Sequence, residues 1–270
     1  MAAGADISDP HWLAPNIAAD LFFSGIDPEA AAVMVEEVLE DHRIDAVAQK
    51  QKCRRKKLLL ADMDSTIIEQ ECLDELADRA GLKNEIAVIT ERAMRGELEF
   101  KEALRERVAR LKGLEESALH ETLARLTLMP GAKALLRTLR GHGVDCHLVS
   151  GGFRFFTRAI AKKLDFTSEQ GNDLVIRDGK LTGEVTEPVL DKNSKLAALY
   201  RLAADNALSL EETMAVGDGA NDIPMLKAAG MGVALHAKPK VNAQAGARVK
   251  YSNLTALLYI QGYSSGDISF

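Results

Sequence analysis

Cysteine is scarce in this sequence: Cys53, Cys72 and Cys146 are the only three, an odd number without CxxC spacing, which excludes a disulfide framework and a zinc knuckle. Glycine and proline, 20 and 7 of 270 residues, are too few for a collagen-like or low-complexity chain. No run approaches the ~18 uninterrupted apolar residues that a membrane span needs. No lysine or arginine precedes Arg43, so no signal peptide is expected. The six histidines share no metal-ligand spacing, and no catalytic histidine is assigned. Positive charge is in deficit, 34 against 40, and the net −6 excludes long-range attraction to a polyanion. What is present, 47% apolar and 27% charged residues, suits a globular chain of one large domain, or of one domain plus an inserted or appended piece. The expectation is a cytoplasmic protein that binds neither nucleic acid nor membrane.

Charge divides the chain. Residues 1 to 49 hold ten acidic side chains and one basic one, so a short acidic segment over 1–53 is set apart from the rest of the chain. Within it, Asp27-Pro28-Glu29 caps a helix running to Leu39. The basic run 50–57, KQKCRRKK, reads as a solvated linker more readily than as a nucleic-acid patch. Apolar runs then recur at Leu58 to Ala61, Val144 to Val149, Thr213 to Val216 and Gly232 to Leu235, with helix-period segments between them. That alternation predicts an α/β, Rossmann-like, mostly parallel sheet with helices on both faces. Asp178-Gly179 between two alternating runs predicts a hairpin. Residues 73–127 show helical periodicity throughout and no strand-like run. They predict a helical cap inserted after the first core strand, above the strand ends where an open sheet binds ligands, with the core over 54–72 and 128–270.

Four groups of residues fall at predicted strand ends. Asp62-Met63-Asp64-Ser65-Thr66 sets two carboxylates two residues apart, which in extended chain point the same way; alone, the string also reads as a helix N-cap. Ser150-Gly151-Gly152 opens a helix with a small hydroxyl and backbone amides suited to phosphate, or makes a plain turn. Lys195 stands at a helix start as a point charge for an anion, or as a surface lysine. Gly217-Asp218-Gly219-Ala220-Asn221-Asp222 offers oxygen ligands in a glycine-loosened loop, suited to Mg²⁺.

With all four in order in one βα array, the chain resembles the haloacid dehalogenase superfamily. More narrowly it is similar to the phosphoserine phosphatases, on ADMDSTIIEQECLDELA (61–77), FKEALRERVARLKGL (100–114), LVSGGF (148–153) and VGDGANDIPMLKAAGMGVALHAKPKV (216–241). The resemblance implies Asp62 as nucleophile, Asp64 as general acid/base, and Mg²⁺ held by Asp62, the Asp64 main-chain carbonyl and Asp218, with Asn221 or Asp222 in support. It implies Ser150, Gly151, Lys195 and Asn221 around the phosphoryl group, and Glu71 and Arg107 on the ammonium and carboxylate of O-phospho-L-serine. Met94 and Phe100 resemble the apolar wall of the pocket. The alternatives on the same motifs are a phosphotransferase or broader small-metabolite phosphatase and, from a different class, a metabolite-binding protein. A homodimer is the expected assembly, and residues 1–53 resemble the remnant of an ACT-type regulatory domain.

Overall fold

The computed structural model describes residues 4–39, 41–95 and 97–270; Met94 is described in its backbone alone, so the pocket-wall role of its side chain lies outside the described residues. Four short strands come first: β1 (Asp6–Ile7), β2 (His11–Ala14), β3 (Ala18–Asp20) and β4 (Phe23–Ser24). They pair antiparallel as β1 with β4 and β2 with β3. Helix α1 (Pro28–Val38) comes next, capped by the Asp27 carboxylate accepting from the Glu29 and Ala30 amides at 3.0 Å. The segment is tied to the rest of the chain by charge. Arg54 makes two bonds to Asp20, Glu36 pairs with Lys250 at 2.9 Å and with Arg248, and Asp45 accepts the backbone N–H groups of Lys250, Tyr251 and Ser252.

The basic run differs from its reading as a solvated linker. Lys56 is buried and donates to the Glu211 carbonyl at 2.7 Å, Lys57 pairs with Glu212 at 2.7 Å, and Arg55 stacks 4.2 Å over the Tyr263 ring. Its charge is spent on acceptors far along the same chain, which a local reading does not see.

The run ends in β5 (Leu58–Ala61), and α2 (Cys72–Arg79), α3 (Lys83–Met94), α4 (Phe100–Arg110) and α5 (Ser117–Arg125) succeed it without a strand. The chain returns through α6 (Ala132–Gly141), β6 (Asp145–Phe153), α7 (Arg154–Leu164), β7 (Ser168–Asn172) and the hairpin β8 (Leu174–Arg177) and β9 (Lys180–Val185). It closes with α8 (Lys192–Asp205), β10 (Thr213–Gly217), α9 (Ile223–Ala228), β11 (Met231–Leu235), α10 (Pro239–Asn242), β12 (Ala247–Val249) and α11 (Ala256–Ile260). No helix among the described residues is long and apolar enough to cross a membrane.

Six strands form one parallel sheet in the order β12-β11-β10-β5-β6-β7. β5 is central and fully buried, Leu59 and Ala61 packing into one apolar cluster and Leu58 and Leu60 into the other. A strand with a core on each face has no polar side to show, hence the unbroken LLLA; each such leucine contributes about 1.5–3 kcal/mol by burial. After β5 the chain builds outward through β6 and β7, and only later adds β10 on the other side of β5. The carboxyl ends of β5 and β10 therefore flank the point where strand order reverses, which is where open sheets leave a crevice. The hairpin forms at Asp178-Gly179, both at positive φ (51° and 72°). Beyond the expectation, it packs on the inserted helices: Leu181 and Leu114 are bonded through N–H and carbonyl, and Glu116 N–H reaches the Gly179 carbonyl.

Candidate active site

β5 delivers Asp62 to the crevice, its N–H donating to the Val216 carbonyl of β10 at 3.0 Å. The turn beyond is tight, Ser65 standing at φ 54°, and it splits the carboxylates by partner. Asp62 is 6% exposed, and its Oδ1 accepts from the Met63 N–H at 2.8 Å and from Lys195 Nζ at 2.8 Å. Asp64 accepts instead from the Cys72 N–H at 2.9 Å and from the Ser150 hydroxyl at 3.1 Å. Burial raises the pKa of both carboxyls. For Asp62, Asp222 adds to the rise and Lys195 opposes it; for Asp64 the opposition comes from the Cys72 and Ser150 donors.

Lys195 is 2% exposed, in the first turn of α8, and its ammonium lies between Asp62 and Asp222, 2.5 Å from Asp222 Oδ1. These two carboxylates raise its pKa against the burial that lowers it, so it is firmly cationic. Asp222 also accepts the Gly219 N–H at 3.0 Å. A Cβ on Gly217 would stand 2.5 Å from the Asp222 carboxyl carbon, so this position admits only glycine. Thr66 donates to Asp218 Oδ1 at 3.0 Å; burial and Asp222 push the Asp218 carboxyl up to about 6.

One oxygen each of Asp62, Asp218 and Asp222 lies within 4.8 Å of the others, an all-carboxylate group able to hold a hard divalent cation. The Asp64 carboxyl is turned toward Ser150 and the Cys72 N–H and is not one of the three grouped carboxylates. Ser150 sits within β6, three residues before its end, with its Oγ accepting the Gly152 N–H at 2.8 Å. A Cβ on Gly152 would approach Asp64 Oδ2 to 2.7 Å, so the second glycine of the pair is what lets Ser150 and Asp64 meet. The side chain of Asn221 lies over Gly219, next to Asp222.

The inserted helices face this group. Phe100, first residue of α4, lies against Gly151, whose Cβ would meet its ring at 3.0 Å. Glu71 accepts from the Ser65 hydroxyl at 2.7 Å. The residue as a whole is open to solvent, yet the protein packed around its carboxyl, then the nearby Asp64 charge, raises its pKa to about 7. Arg107 donates only to the Ala103 carbonyl of its own helix and is in no ion pair among the described residues, though Asp74 and Glu71 are near enough to stabilise its charge. Every site residue named from sequence except Met94 thus falls in one region. Reading by residue type gave no role to the Thr66 hydroxyl, the Cys72 N–H or the tie between Lys195 and Asp222, although Thr66 stands in the 62–66 string and Asp222 in the acidic loop.

The chain matches the family model of haloacid dehalogenase-like hydrolases over residues 59–227. It is 45% identical over 205 residues to a phosphoserine phosphatase of Streptococcus thermophilus, covering 76% of this chain and 95% of that protein. It is 44% identical over 215 residues to a phosphoserine phosphatase of Mycobacterium tuberculosis, covering 80% of this chain but only 53% of that protein, so it spans about half the length of this relative. A solved structure described as a phospho-aspartyl intermediate analogue of phosphoserine phosphatase superposes with a TM-score of 0.71 at 40% identity, covering 76% of this chain and 98% of that one.

Proposed function

Because the chain belongs to the haloacid dehalogenase-like hydrolase family, we propose that this crevice hydrolyses O-phospho-L-serine to L-serine and phosphate through an aspartyl-phosphate on Asp62. The observation that carries the reading is the buried Asp62 carboxylate held at 2.8 Å by Lys195 at the end of the central strand. Asp62 attacks phosphorus in line, splitting one hard hydrolysis into two easier steps. Asp64 gives its proton to the departing serine oxygen and takes one from the water that opens the acyl-phosphate. Its partners suit that cycle. When Ser150 turns its hydroxyl from Asp64 to a phosphoryl oxygen, Asp64 loses a donor that favoured the carboxylate, and its protonated form gains. Ser150, the Gly151 amide and Lys195 hold the phosphoryl oxygens as their charge redistributes.

The oxygen-only set of Asp62, Asp218 and Asp222 fits Mg²⁺, with the Asp64 carbonyl and Asn221 in support. Bound there, Mg²⁺ would offset the repulsion between a carboxylate nucleophile and a phosphate dianion. We take residues 73–127 as the cap: Phe100 covers Gly151, and Lys101 and Arg105 of α4 pair with Asp191 and Glu187 of the core at 3.3 and 2.6 Å. The cap, together with the turn that leads into it, supplies the choice of substrate. Arg107, lacking an acid, and Glu71, lacking a base, suit an amino acid's carboxylate and ammonium, and an ester without them would leave both unpaired. A reducing, cytoplasmic setting is supported by the three unbridged cysteines.

The test is phosphate release from O-phospho-L-serine in Mg²⁺ buffer beside phosphothreonine, a sugar phosphate and an aryl phosphate, with and without homoserine. Strong preference for phosphoserine with free phosphate as product supports the proposal. Flat selectivity overturns the account of the cap; capture of the phosphoryl group by homoserine makes the enzyme a transferase; no release from any ester overturns the chemistry.

A further inference from the structure

The parallel ladder between β6 and β7 is broken where the phosphoryl group would bind. Val149 pairs with Gln170 and Phe153 pairs with Asn172, so three residues of β6 stand opposite the single Gly171 of β7. The surplus pushes Ser150, Gly151 and Gly152 out of the ladder and toward Asp64, as bulges do at functional sites. Such a loop leaves the Gly151 carbonyl without a ladder partner. Asn172, 2% exposed at the end of β7, supplies it: Nδ2 donates to the Gly151 oxygen at 2.8 Å. The other half of the same amide, Oδ1, accepts the Leu190 N–H at 2.8 Å. A backbone N–H can only donate and a carbonyl can only accept, so these partners fix the amide's orientation without ambiguity.

Each contact leads to a phosphoryl-binding group. The Gly151 carbonyl belongs to the same peptide as the Gly152 N–H, which holds Ser150 Oγ at 2.8 Å. Leu190 precedes Asp191, the residue that caps α8 by accepting the Asn193 and Ser194 N–H groups. Lys195 stands in the first turn of that helix. One buried amide therefore joins the loop that aims Ser150 to the helix that aims Lys195, while its own side chain bonds to neither of them nor to Asp62 or Asp64.

We propose that Asn172 is a positioning residue for phosphoryl transfer, clamping the Ser150–Gly152 bulge against the start of α8 so that the Ser150 hydroxyl, the Gly151 amide and Lys195 converge on one phosphoryl group. Neighbouring side-chain types do not fit. Aspartate presents acceptors to both partners, leucine presents nothing, and glutamine is one methylene too long for a buried gap spanned at 2.8 Å on each side. The proposal rests on the reading of the site as a phosphatase, but not on phosphoserine as its substrate.

The test compares the wild type with Asn172→Asp and Asn172→Ala, each shown to be folded by circular dichroism and melting. A misplacement of about 1 Å costs on the order of 100-fold in rate, so kcat should fall about 10- to 100-fold while KM for phosphoserine stays within about threefold. Inhibition by orthovanadate, which mimics the five-coordinate phosphorus, should weaken by about the same factor as kcat, and inhibition by L-serine should not change. The aspartate variant adds a reading that a merely structural role would not move. Once protonated, its carboxyl donates to Gly151 and accepts from Leu190 as the amide did, so its deficit relative to wild type should shrink from pH 8 to pH 5.5, while that of the alanine variant stays level. The nearby charges, Arg154 paired with Asp173 and Asp191 paired with Lys101, are common to all three proteins and cancel in the ratio. Unchanged kcat, equal weakening of vanadate and L-serine, a pH-independent deficit in the aspartate variant, or failure of both variants to fold would each overturn the proposal. If the wild type turns over only para-nitrophenyl phosphate, the same kcat and vanadate comparison on that ester tests Asn172 separately from the substrate reading.

Discussion

On the core wall of the crevice Lys195 is 2% exposed and its ammonium lies between the carboxylates of Asp62 and Asp222; on the facing wall Arg107 reaches inward with no ion-pair partner among the described residues. The core wall answers its charges from within the chain. Its geometry is settled before any ligand arrives, and its groups hold the end of β5, the start of α8 and the loop after β10 together besides the part proposed for them in the reaction. The facing wall leaves its charges to be completed from outside, which is how a site discriminates between ligands that carry the missing groups and ligands that do not. Damage to the core wall should therefore strike every substrate alike, and damage to the facing wall should be visible only on substrates with an amino-acid end.

The sharpest break is Asp62→Asn. The amide cannot form an acyl-phosphate, so turnover of phosphoserine and of aryl phosphate should both fall below detection, with no phosphoenzyme trapped by acid quench. Lys195 keeps Asp222 as its counter-ion, and the variant should melt within a few degrees of wild type. Residual turnover would move the nucleophile to another residue.

Next in size is Arg107→Ala. Losing one partner of a desolvated charge pair costs about 2–4 kcal/mol, roughly 30- to 1,000-fold in kcat/KM. That loss should appear on phosphoserine, chiefly in KM, and stay under about threefold on para-nitrophenyl phosphate. Equal losses on both esters would make Arg107 a structural residue of α4 and dissolve the contrast between the walls.

The two walls also differ in how far the sequence exposes them. Asp62, Asp64, Ser150 and Asp218 stand in or just beyond apolar strands whose unbroken runs announce a buried parallel sheet, Lys195 stands in the first turn of a helix, and helices such as Ala132–Gly141 follow from their apolar period. β7 is harder to see: Ser168 to Asn172 reads SEQGN, polar throughout, because an edge strand needs little apolar surface. With β7 unseen, the bulge opposite it and the buried Asn172 that closes it are invisible as well. The short strands before α1 likewise carry no run long enough to register. Glu71 and Arg107 bear no local sign of function, since an acid before a helix and an arginine in a charged stretch are ordinary surface features. Only the family resemblance singled them out, and what the fold adds is that both face the crevice without an opposite charge bonded to them.

The smallest effect is also the one that separates the walls by pH. The Glu71 carboxyl is raised from its usual value of 4.5 to about 7 by the protein packed around it and by the Asp64 charge. A raised acid loses its negative charge as pH falls through the raised value, so in the free protein Glu71 is largely ionised at pH 8 and about one-tenth ionised at pH 6. An ammonium binds the ionised form. The kcat/KM of wild type for phosphoserine, divided by that of Glu71→Gln, should therefore fall about tenfold between pH 8 and pH 6. The titration of the substrate phosphate enters numerator and denominator alike and drops out of the ratio, and the shift of the Asp64 carboxyl on losing the Glu71 charge is read from an ester that carries no ammonium. On para-nitrophenyl phosphate, which has no ammonium, the same ratio should stay flat across the range. A ratio that falls equally on both esters would mean that Glu71 acts through the core carboxylates, and the facing wall could no longer be treated as electrostatically separate from the core.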